Sequence, residues 1–195
     1  MLNDKVNTLL EKNNGIILTS QAEKVGVSKQ TLSTLAKEGL LERIRHGVYI
    51  KTGELQDDMY ILTLKNQNLC FSHETALFLH GLTDRTPNKY SVTVQKHIKL
   101  SEHYNKMCKT YYVMPNYFEI GKTECKNNFG NFVAVYDVER TICDIIRSRK
   151  RIDPQIVKDA INRYVKSKDA NFIKLQNYAK IFRISKILEQ YLEVL

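Results

Sequence analysis

The chain has 195 residues, of which 43% are hydrophobic and 26% are charged. This ordinary globular composition excludes a disordered or fibrous chain and allows one large domain or two small ones. Thirty Lys and Arg against 21 Asp and Glu give a formal net charge of +9. An electrostatic partner should therefore be anionic, and nucleic acid is the first candidate.

The sequence contains no signal for membrane attachment or export. Its N-terminus, MLNDKVNTLLEKNN, lacks an apolar h-region, and no apolar run reaches the roughly 20 residues of a membrane span. We therefore expect a cytoplasmic protein. The 4 cysteines form no CxxC pair and no short Cys/His cluster, so we expect reduced thiols and no metal site.

The positive charge is concentrated near the C-terminus. Residues 147–186 contain twelve Lys and Arg but only Asp153, Asp159 and Asp169 as acids. Such a local excess attracts a polyanion within the Debye length of roughly 8 Å. The alternative is that these cations are only the solvated faces of amphipathic helices.

Three short helices are predicted at the N-terminus. Apolar spacing predicts the first over residues 3–12, followed by a short extended piece over residues 16–18. Ser20 and Glu23 have the spacing of a capping box, so we expect the second helix to begin there and to end at Gly26. Ser28 is the predicted N-cap of the third helix, over residues 29–38.

The second and third helices have the pattern of a helix-turn-helix. Ala22 is small enough for close helix contact, and Gly26 can adopt the left-handed conformation of the turn. Leu32 and Leu35 anchor the third helix, which leaves polar side chains on its opposite face for base edges or phosphates. These candidate DNA contacts are Lys29, Gln30, Ser33, Thr34 and Lys37.

The next segment, LLERIRHGVYIK, predicts a β-hairpin that turns at His46-Gly47. After a helix-turn-helix, such a hairpin is a wing. Arg43, Arg45 and His46 are the wing residues that we expect to contact DNA. The alternative is a winged helix that is used only for protein contacts.

The pattern changes near Glu54, where we place the domain boundary. Residues 1–54 are then a winged helix-turn-helix domain, and residues 55–195 are a mixed α+β domain that ends in basic helices from about residue 147. Strands are predicted over residues 90–95, 111–114 and 132–136. Asp153-Pro154 is a cap followed by proline at the first helical position, so we expect helices from there to the end.

Three strings in this order, LLERIRHGVYIK, FSHETALFLHGLTDRTP and VAVYDVERTICDIIR, resemble the antitoxin family of the AbiE abortive-infection system, a bacterial type IV toxin–antitoxin pair. The resemblance extends over nearly the whole chain. It implies a winged helix-turn-helix that represses its own operon by binding inverted repeats in the promoter. It also implies a C-terminal domain that neutralises a nucleotidyltransferase-like toxin without forming a stable complex, and it assigns no residue to that antitoxin activity.

A catalytic role is the less favoured interpretation. Asp137, Glu139 and Asp144 could be read as a nuclease site, but Asp137 is better placed to cap a helix. His73 and His80 lie two helical turns apart, with no Cys or carboxylate at the spacing that would complete a ligand set. Because no nucleotide-binding or hydrolase motif is present either, we expect no enzyme activity and no cofactor.

The sequence thus favours a sequence-specific repressor of double-stranded DNA. In this hypothesis the third helix enters the major groove, the wing contacts the backbone, and the C-terminal cations extend the phosphate-contacting surface through Arg149, Lys150, Arg151 and Lys158. The competing interpretations are a module that binds an acidic protein partner and an RNA-binding protein. The operator sequence, and cooperative assembly of several copies on DNA, are left open.

Overall fold

The computed structural model describes residues 3–193. The chain divides into two compact units, Met1–Lys65 and Asn66–Leu195, which are described separately below. Both units combine helices with a sheet, and helices and a small sheet consistent with a winged helix-turn-helix come first. The predicted α+β class is confirmed.

The first unit consists of three helices, a three-stranded antiparallel sheet of order β1-β3-β2, and a fourth helix. Its elements are α1 (Asp4–Lys12), β1 (Ile16–Leu18), α2 (Thr19–Lys24), α3 (Lys29–Lys37), β2 (Leu41–Arg45), β3 (Val48–Lys51) and α4 (Asp58–Lys65). The predicted hairpin is therefore present as β2 and β3, and β1 pairs with its second strand.

Helix starts in the first unit follow local capping signals with one exception. The Ser28 side chain accepts a hydrogen bond from the Thr31 N–H at 3.0 Å, as the sequence predicts. The predicted Ser20 capping box is wrong, because α2 already begins at Thr19 and its N-cap is Leu18, with no side-chain cap. Leu18 pairs with Val48 in the sheet, which fixes the chain direction before Ser20 is reached.

Apolar side chains cover both faces of the small sheet. On one side, Ile17 and Tyr49 pack with α1 and α3, including Val6 and Leu32. On the other side, four strand residues pack against Ile61 of α4, namely Ile16, Leu18, Val48 and Ile50. Because α4 covers this second face, the division between the units follows Lys65 rather than the loop near Glu54.

The second unit is built on a mixed five-stranded sheet of order β6-β5-β4-β8-β7. Its strands are β4 (Cys70–Phe71), β5 (Tyr90–Gln95), β6 (Cys108–Val113), β7 (Lys122–Lys126) and β8 (Phe132–Tyr136). The β5–β6 and β4–β8 pairs are parallel, whereas β4–β5 and β7–β8 are antiparallel. The central strand β4 is only two residues long.

Helices make up the rest of the second unit. They are α5 (His73–Leu79), α6 (Glu102–Met107), α7 (Pro115–Phe118), α8 (Val138–Arg147), a 3-10 helix (Arg149–Arg151), α9 (Pro154–Lys166), α10 (Phe172–Ile181) and α11 (Ser185–Glu193). Asp137 caps α8, and Asp153 caps α9 with Pro154 in its first turn, both as predicted.

The core of the second unit surrounds α8. Eight consecutive residues of this helix, 139–146, are buried. Its apolar side chains, Ile142, Ile145 and Ile146, pack with α9, α10 and α11 through residues such as Ile161 and Leu188. A helix buried on every side cannot leave its charged residues in water, so each of them needs a partner inside the protein.

Arg140 is the largest fully buried side chain of the chain's described part. Its Nε donates to Asp144 Oδ2 at 3.0 Å, and its Nη1 donates to the Tyr117 and Ile120 carbonyls at 2.9 and 2.6 Å. The guanidinium carbon lies 4.1 Å from the centroid of the Tyr136 ring and 4.2 Å from that of Phe182. This arginine therefore ties α8 to the loop before β7 and to the end of α10.

The close approach of Arg140 to Gly121 generates a stability prediction. A Cβ at Gly121 would lie 2.7 Å from Arg140 Cβ, and the backbone there has a φ of +74°. We expect Gly121→Ala to destabilise the second unit through both overpacking and the left-handed backbone.

Gly130→Ala is the matched control, because Gly130 has a φ of +81° and nothing within 4 Å of an added Cβ. Gly121→Ala should cost about 1–3 kcal/mol more than Gly130→Ala in the free energy of unfolding measured with urea. Equal losses would show that Arg140 does not constrain this turn.

Candidate nucleic-acid interface

A surface groove of about 490 Å³ in the first unit brings together side chains from α2, α3 and the hairpin. Five of the predicted DNA contacts line it, which are Lys29, Gln30, Ser33, Arg43 and His46. The start of α3 and the turn of the hairpin are not adjacent in the chain, since the end of α3 and the first hairpin strand lie between them. Sequence spacing alone therefore could not show that they meet. Their convergence creates a single surface of cations and hydrogen-bonding groups.

The α3 side of the groove is open to solvent. Lys29 and Gln30 are exposed and Ser33 is half-buried, whereas Leu32 and Leu35 face the core. Lys29 Nζ lies 3.3 Å from Glu23 Oε1 in a pair whose two side chains are 73% and 49% exposed. Such an exposed pair is weak, so Lys29 can exchange this carboxylate for a phosphate.

The hairpin side of the groove holds an arginine and a histidine that contact each other. Arg43 Nη2 lies 3.3 Å from His46 Nδ1, and because a guanidinium can only donate, Nδ1 must be the acceptor. Lys65 Nζ donates to the His46 carbonyl at 3.2 Å and adds a third cation to the groove lining.

Arg45 has a different role from Arg43. Its Nη2 lies 2.7 Å from Asp58 Oδ1 at the start of α4, and its side chain is only 13% exposed. The guanidinium thus fastens the hairpin to α4. Since strand residues alternate between faces, the sequence indicated that Arg43 and Arg45 share a face but not that one of them has a carboxylate partner.

Two predicted residues of α3 lie outside the groove, and several residues that were not predicted line it. Thr34 and Lys37 are exposed farther along α3 and do not line the groove. Thr19, Ser20 and Lys65 line it but were not predicted. The Thr19 N–H donates to the Gly47 carbonyl at 3.0 Å. This contact continues the pairing of β1 with β3, which the sequence did not predict.

The predicted C-terminal cations do not form one cluster. Arg149 and Lys158 line a cavity of about 430 Å³ with Ile187 and Tyr191. Arg151 lines a different, smaller cavity, and its guanidinium carbon lies 4.5 Å from the centroid of the Tyr111 ring. Lys150, between them in the 3-10 helix, is exposed.

Part of the local positive charge is neutralised inside the second unit. Arg147 pairs with Asp144, Arg163 pairs with Asp84, and Lys174 lies 3.1 Å from Asp137 and 3.2 Å from Glu139. The twelve cations of residues 147–186 are therefore not all available to a polyanion.

The three carboxylates considered for a nuclease site serve the architecture. Asp137 Oδ1 accepts the Arg140 N–H at 2.8 Å as the cap of α8. Glu139 accepts the Asn171 N–H at 3.3 Å, and Asp144 lies between Arg140 and Arg147. Among the side chains that the structure describes, which do not include that of His103, no group of three or more His, Cys, Asp or Glu is arranged to hold a metal ion.

Both helix-end histidines make long-range hydrogen bonds, and His73 also has a local one, because its Nδ1 lies 2.9 Å from Ser72 Oγ and its Nε2 lies 3.0 Å from Ser148 Oγ. His80 Nε2 donates to the Tyr136 carbonyl at 2.7 Å. His73 is buried, stacks on Tyr111 with ring centroids 3.4 Å apart, and has a left-handed φ of +47°. Burial is the main reason why the pKa of His73 lies well below 6.5, because it disfavours the charged imidazolium. Four nearby cations lower this pKa further, and Lys109 has the largest effect among them.

The N-terminal segment resembles a known regulator family. Residues 4–50 match the model of the AbiEi antitoxin family, described as a transcriptional regulator. This match confirms, for the N-terminal region, the resemblance predicted from the sequence, and it includes α3 and nearly the whole hairpin. No curated protein matches the chain.

The fold as a whole has a solved counterpart. A protein from Mycobacterium tuberculosis, RV2827C, superposes with a TM-score of 0.61 at 13% sequence identity, covering 89% of this chain and 69% of that one. At this identity the likeness concerns the fold alone. Across residues 3–193, every helix is too short or too polar to cross a bilayer.

The buried neutral His73 predicts an acid-dependent loss of stability. The unfolded imidazole binds a proton below pH 6.5, whereas the folded one stays neutral, so unfolding takes up a proton as the pH falls. Between pH 6.5 and 5, His73 should lower the free energy of unfolding by up to about 1.4 kcal/mol per pH unit.

The variant His73→Asn isolates this contribution, because asparagine does not titrate and tolerates a left-handed backbone. Urea unfolding across this pH range should give a shallower pH slope for the variant than for the wild type. Identical slopes would mean that His73 is protonated in the folded protein.

Proposed function

We propose that this protein is a sequence-specific, DNA-binding transcriptional regulator that reads its operator with α3 and the β2–β3 hairpin. The observation that carries the proposal is the groove in which Lys29, Gln30 and Ser33 meet Arg43 and His46. This groove lies almost entirely within the residues that match the regulator family. In this arrangement Gln30 and Ser33 contact base edges, while the cations contact phosphates.

The proposed biological role is that of the antitoxin in a type IV toxin–antitoxin pair. The family match supports a regulator and antitoxin role in general. We propose that the operator consists of inverted repeats in the protein's own promoter, that binding represses the operon, and that the second unit opposes a nucleotidyltransferase-like toxin without a stable complex.

The second unit is proposed to add phosphate contacts through its C-terminal cations. Lys150, Arg151 and Lys158 are exposed, and none of them belongs to an ion pair within residues 3–193. The first 54 residues carry eight Lys and Arg against six acids, so the hairpin and α3 alone supply few net charges. The C-terminal cations would strengthen binding without reading sequence.

The first test measures binding to the protein's own promoter and to a shuffled duplex by fluorescence anisotropy. We expect the wild type to prefer the promoter. Gln30→Ala should lose about 1–3 kcal/mol of discrimination at one base position, whereas Arg43→Ala should weaken binding to both duplexes, because it contacts phosphate.

Lys12→Ala is the matched control, since Lys12 is an exposed lysine of the same unit outside the groove. Arg45→Ala should chiefly lower stability, because it breaks the pair with Asp58. Failure of the wild type to distinguish promoter from shuffled duplex would overturn the proposal. Displacement of the promoter by tRNA at matched salt would favour RNA as the ligand.

The salt dependence of promoter binding tests the part played by the second unit. Neutralisation of about six phosphates gives a log–log slope of roughly −5. Replacing Arg149, Lys150 and Arg151 by alanine should flatten this slope and weaken binding to all duplexes equally. A wild-type slope near −2, or a triple variant that changes sequence preference, would contradict a phosphate-contacting role for these residues.

A further inference from the structure

A small cavity of about 190 Å³ lies at the C-terminal end of α8 in the second unit. Its polar lining includes His73, Tyr111, Asp144, Arg147, Ser148 and Arg151, and Tyr112 and Val113 complete the lining. The cavity is smaller than the range of roughly 300–1,000 Å³ that is typical of drug-sized ligands. It suits a single compact group rather than a nucleoside or a peptide side chain with its backbone.

A chain of hydrogen bonds leads into this cavity from the sheet. The Thr93 hydroxyl donates to Ser72 Oγ at 2.9 Å. Ser72 Oγ lies 2.9 Å from His73 Nδ1, and His73 Nε2 lies 3.0 Å from Ser148 Oγ. Ser72, His73 and Thr93 are all buried, so each polar hydrogen in this chain needs an acceptor.

Which group donates in each of these hydrogen bonds follows from counting the available polar hydrogens. Thr93 uses its only hydroxyl hydrogen on Ser72, and the Ser72 hydrogen has no acceptor within residues 3–193 other than His73 Nδ1. Ser72 therefore donates to Nδ1, which makes Nε2 the protonated nitrogen of the neutral ring. Nε2 in turn donates to Ser148 Oγ, and the Ser148 hydrogen is left for an acceptor in the cavity.

Two guanidinium groups add donors to the same space. Arg151 makes no ion pair with any residue of 3–193 and lies over the Tyr111 ring. Arg147 uses Nη1 on Asp144 at 3.2 Å, and its guanidinium carbon lies 5.0 Å from the centroid of the Phe182 ring. Its other nitrogens have no hydrogen-bond partner among the described residues. The guanidinium fork matches the geometry of phosphate oxygens.

The groups that would repel an anion are already occupied. Both Asp144 oxygens accept from arginines, Oδ2 from Arg140 and Oδ1 from Arg147. At the end of α8, the Ser148 N–H bonds to the Asp144 carbonyl, and Arg149 Nη1 bonds to the Ile146 carbonyl at 3.1 Å. The cavity thus offers donors to a ligand, whereas the Asp144 carboxylate and the Asp144 and Ile146 carbonyls already have hydrogen-bond donors.

We infer that this cavity binds the phosphate group of inorganic phosphate or of a small phosphate monoester, through Ser148, Arg147 and Arg151. The site is one for binding and not for phosphoryl transfer. A neutral histidine that donates from Nε2 has no lone pair facing Ser148, so it cannot remove the proton that would make Ser148 a nucleophile.

The test is a titration of the full chain with inorganic phosphate, with sodium chloride used to hold the ionic strength constant. Isothermal calorimetry and the thermal unfolding midpoint should both report binding, because a ligand of the folded state raises that midpoint. We expect Arg151→Met to weaken phosphate binding about tenfold, the usual effect of losing a charge-assisted hydrogen bond. No DNA is present, so the result does not depend on promoter binding.

Lys168→Met is the control variant. It removes one positive charge from an exposed lysine in the same basic segment that does not line the cavity. It should bind phosphate as the wild type does. An equal loss in both variants, or no phosphate binding by the wild type, would overturn the proposal.

A second measurement checks the donor argument without relying on the stability of a variant. Nitrogen-15 NMR of the His73 ring should show a proton on Nε2 and a bare Nδ1. The opposite tautomer would remove the free Ser148 donor and overturn the proposed site. Titrations with adenosine 5′-monophosphate and with adenosine distinguish inorganic phosphate from a phosphate monoester as the ligand. If the monophosphate binds more tightly than inorganic phosphate and shows the same loss in Arg151→Met, the ligand is a monoester. Adenosine, which has no phosphate, should not bind.

Discussion

The buried guanidinium of Arg140 is the interaction around which the second unit is organised. A charge removed from water is tolerated only where its surroundings replace hydration, and removal of one partner of such a pair typically costs several kcal/mol. Arg140 has a carboxylate, two carbonyls and two aromatic faces as its surroundings. Its Nη2 has no hydrogen-bond acceptor in the described part of the chain. Electrostatic attraction to the flanking rings therefore replaces part of what hydrogen bonds would supply.

Several features of the second unit depend on the buried position of the Arg140 side chain. The Asp144 carboxylate pairs with Arg140 one turn earlier on the same helix, and it also pairs with Arg147, which lines the small cavity. The turn at Gly121 has no room for a side chain because the Arg140 stem occupies that space. Much of the charge in this unit thus stabilises its interior, whereas Lys29, Gln30, Arg43 and His46 are exposed at the surface of the first unit.

The sequence predicted elements whose signals are local. The Ser28, Asp137 and Asp153 caps lie within three residues of the groups that they bind, and the two strands of the hairpin are joined by a turn at His46-Gly47 that the local sequence indicates. The Ser20 capping box failed because strand pairing of Leu18 outweighed a weak local preference.

Long-range partners could not be predicted from spacing. The two-residue strand β4 joins β5 and β8, but a segment that short has no periodicity to detect. For the candidate site, residue types on α3 and the hairpin were sufficient to propose Gln30 and Arg43. The pairing of Arg45 with Asp58 and the bond between His73 and Ser148 depend on tertiary contacts between distant segments.

The hydrogen bond from the Thr19 N–H to the Gly47 carbonyl joins the hairpin turn to the helix that precedes α3. Main-chain geometry thus restrains the position of the hairpin turn relative to α2, the helix that packs on α3. Under the proposed DNA-binding function, a surface of fixed width would not adjust to its target, and the duplex would deform instead. Operators would then be selected partly by how easily their base steps bend or narrow, including at positions that no side chain touches.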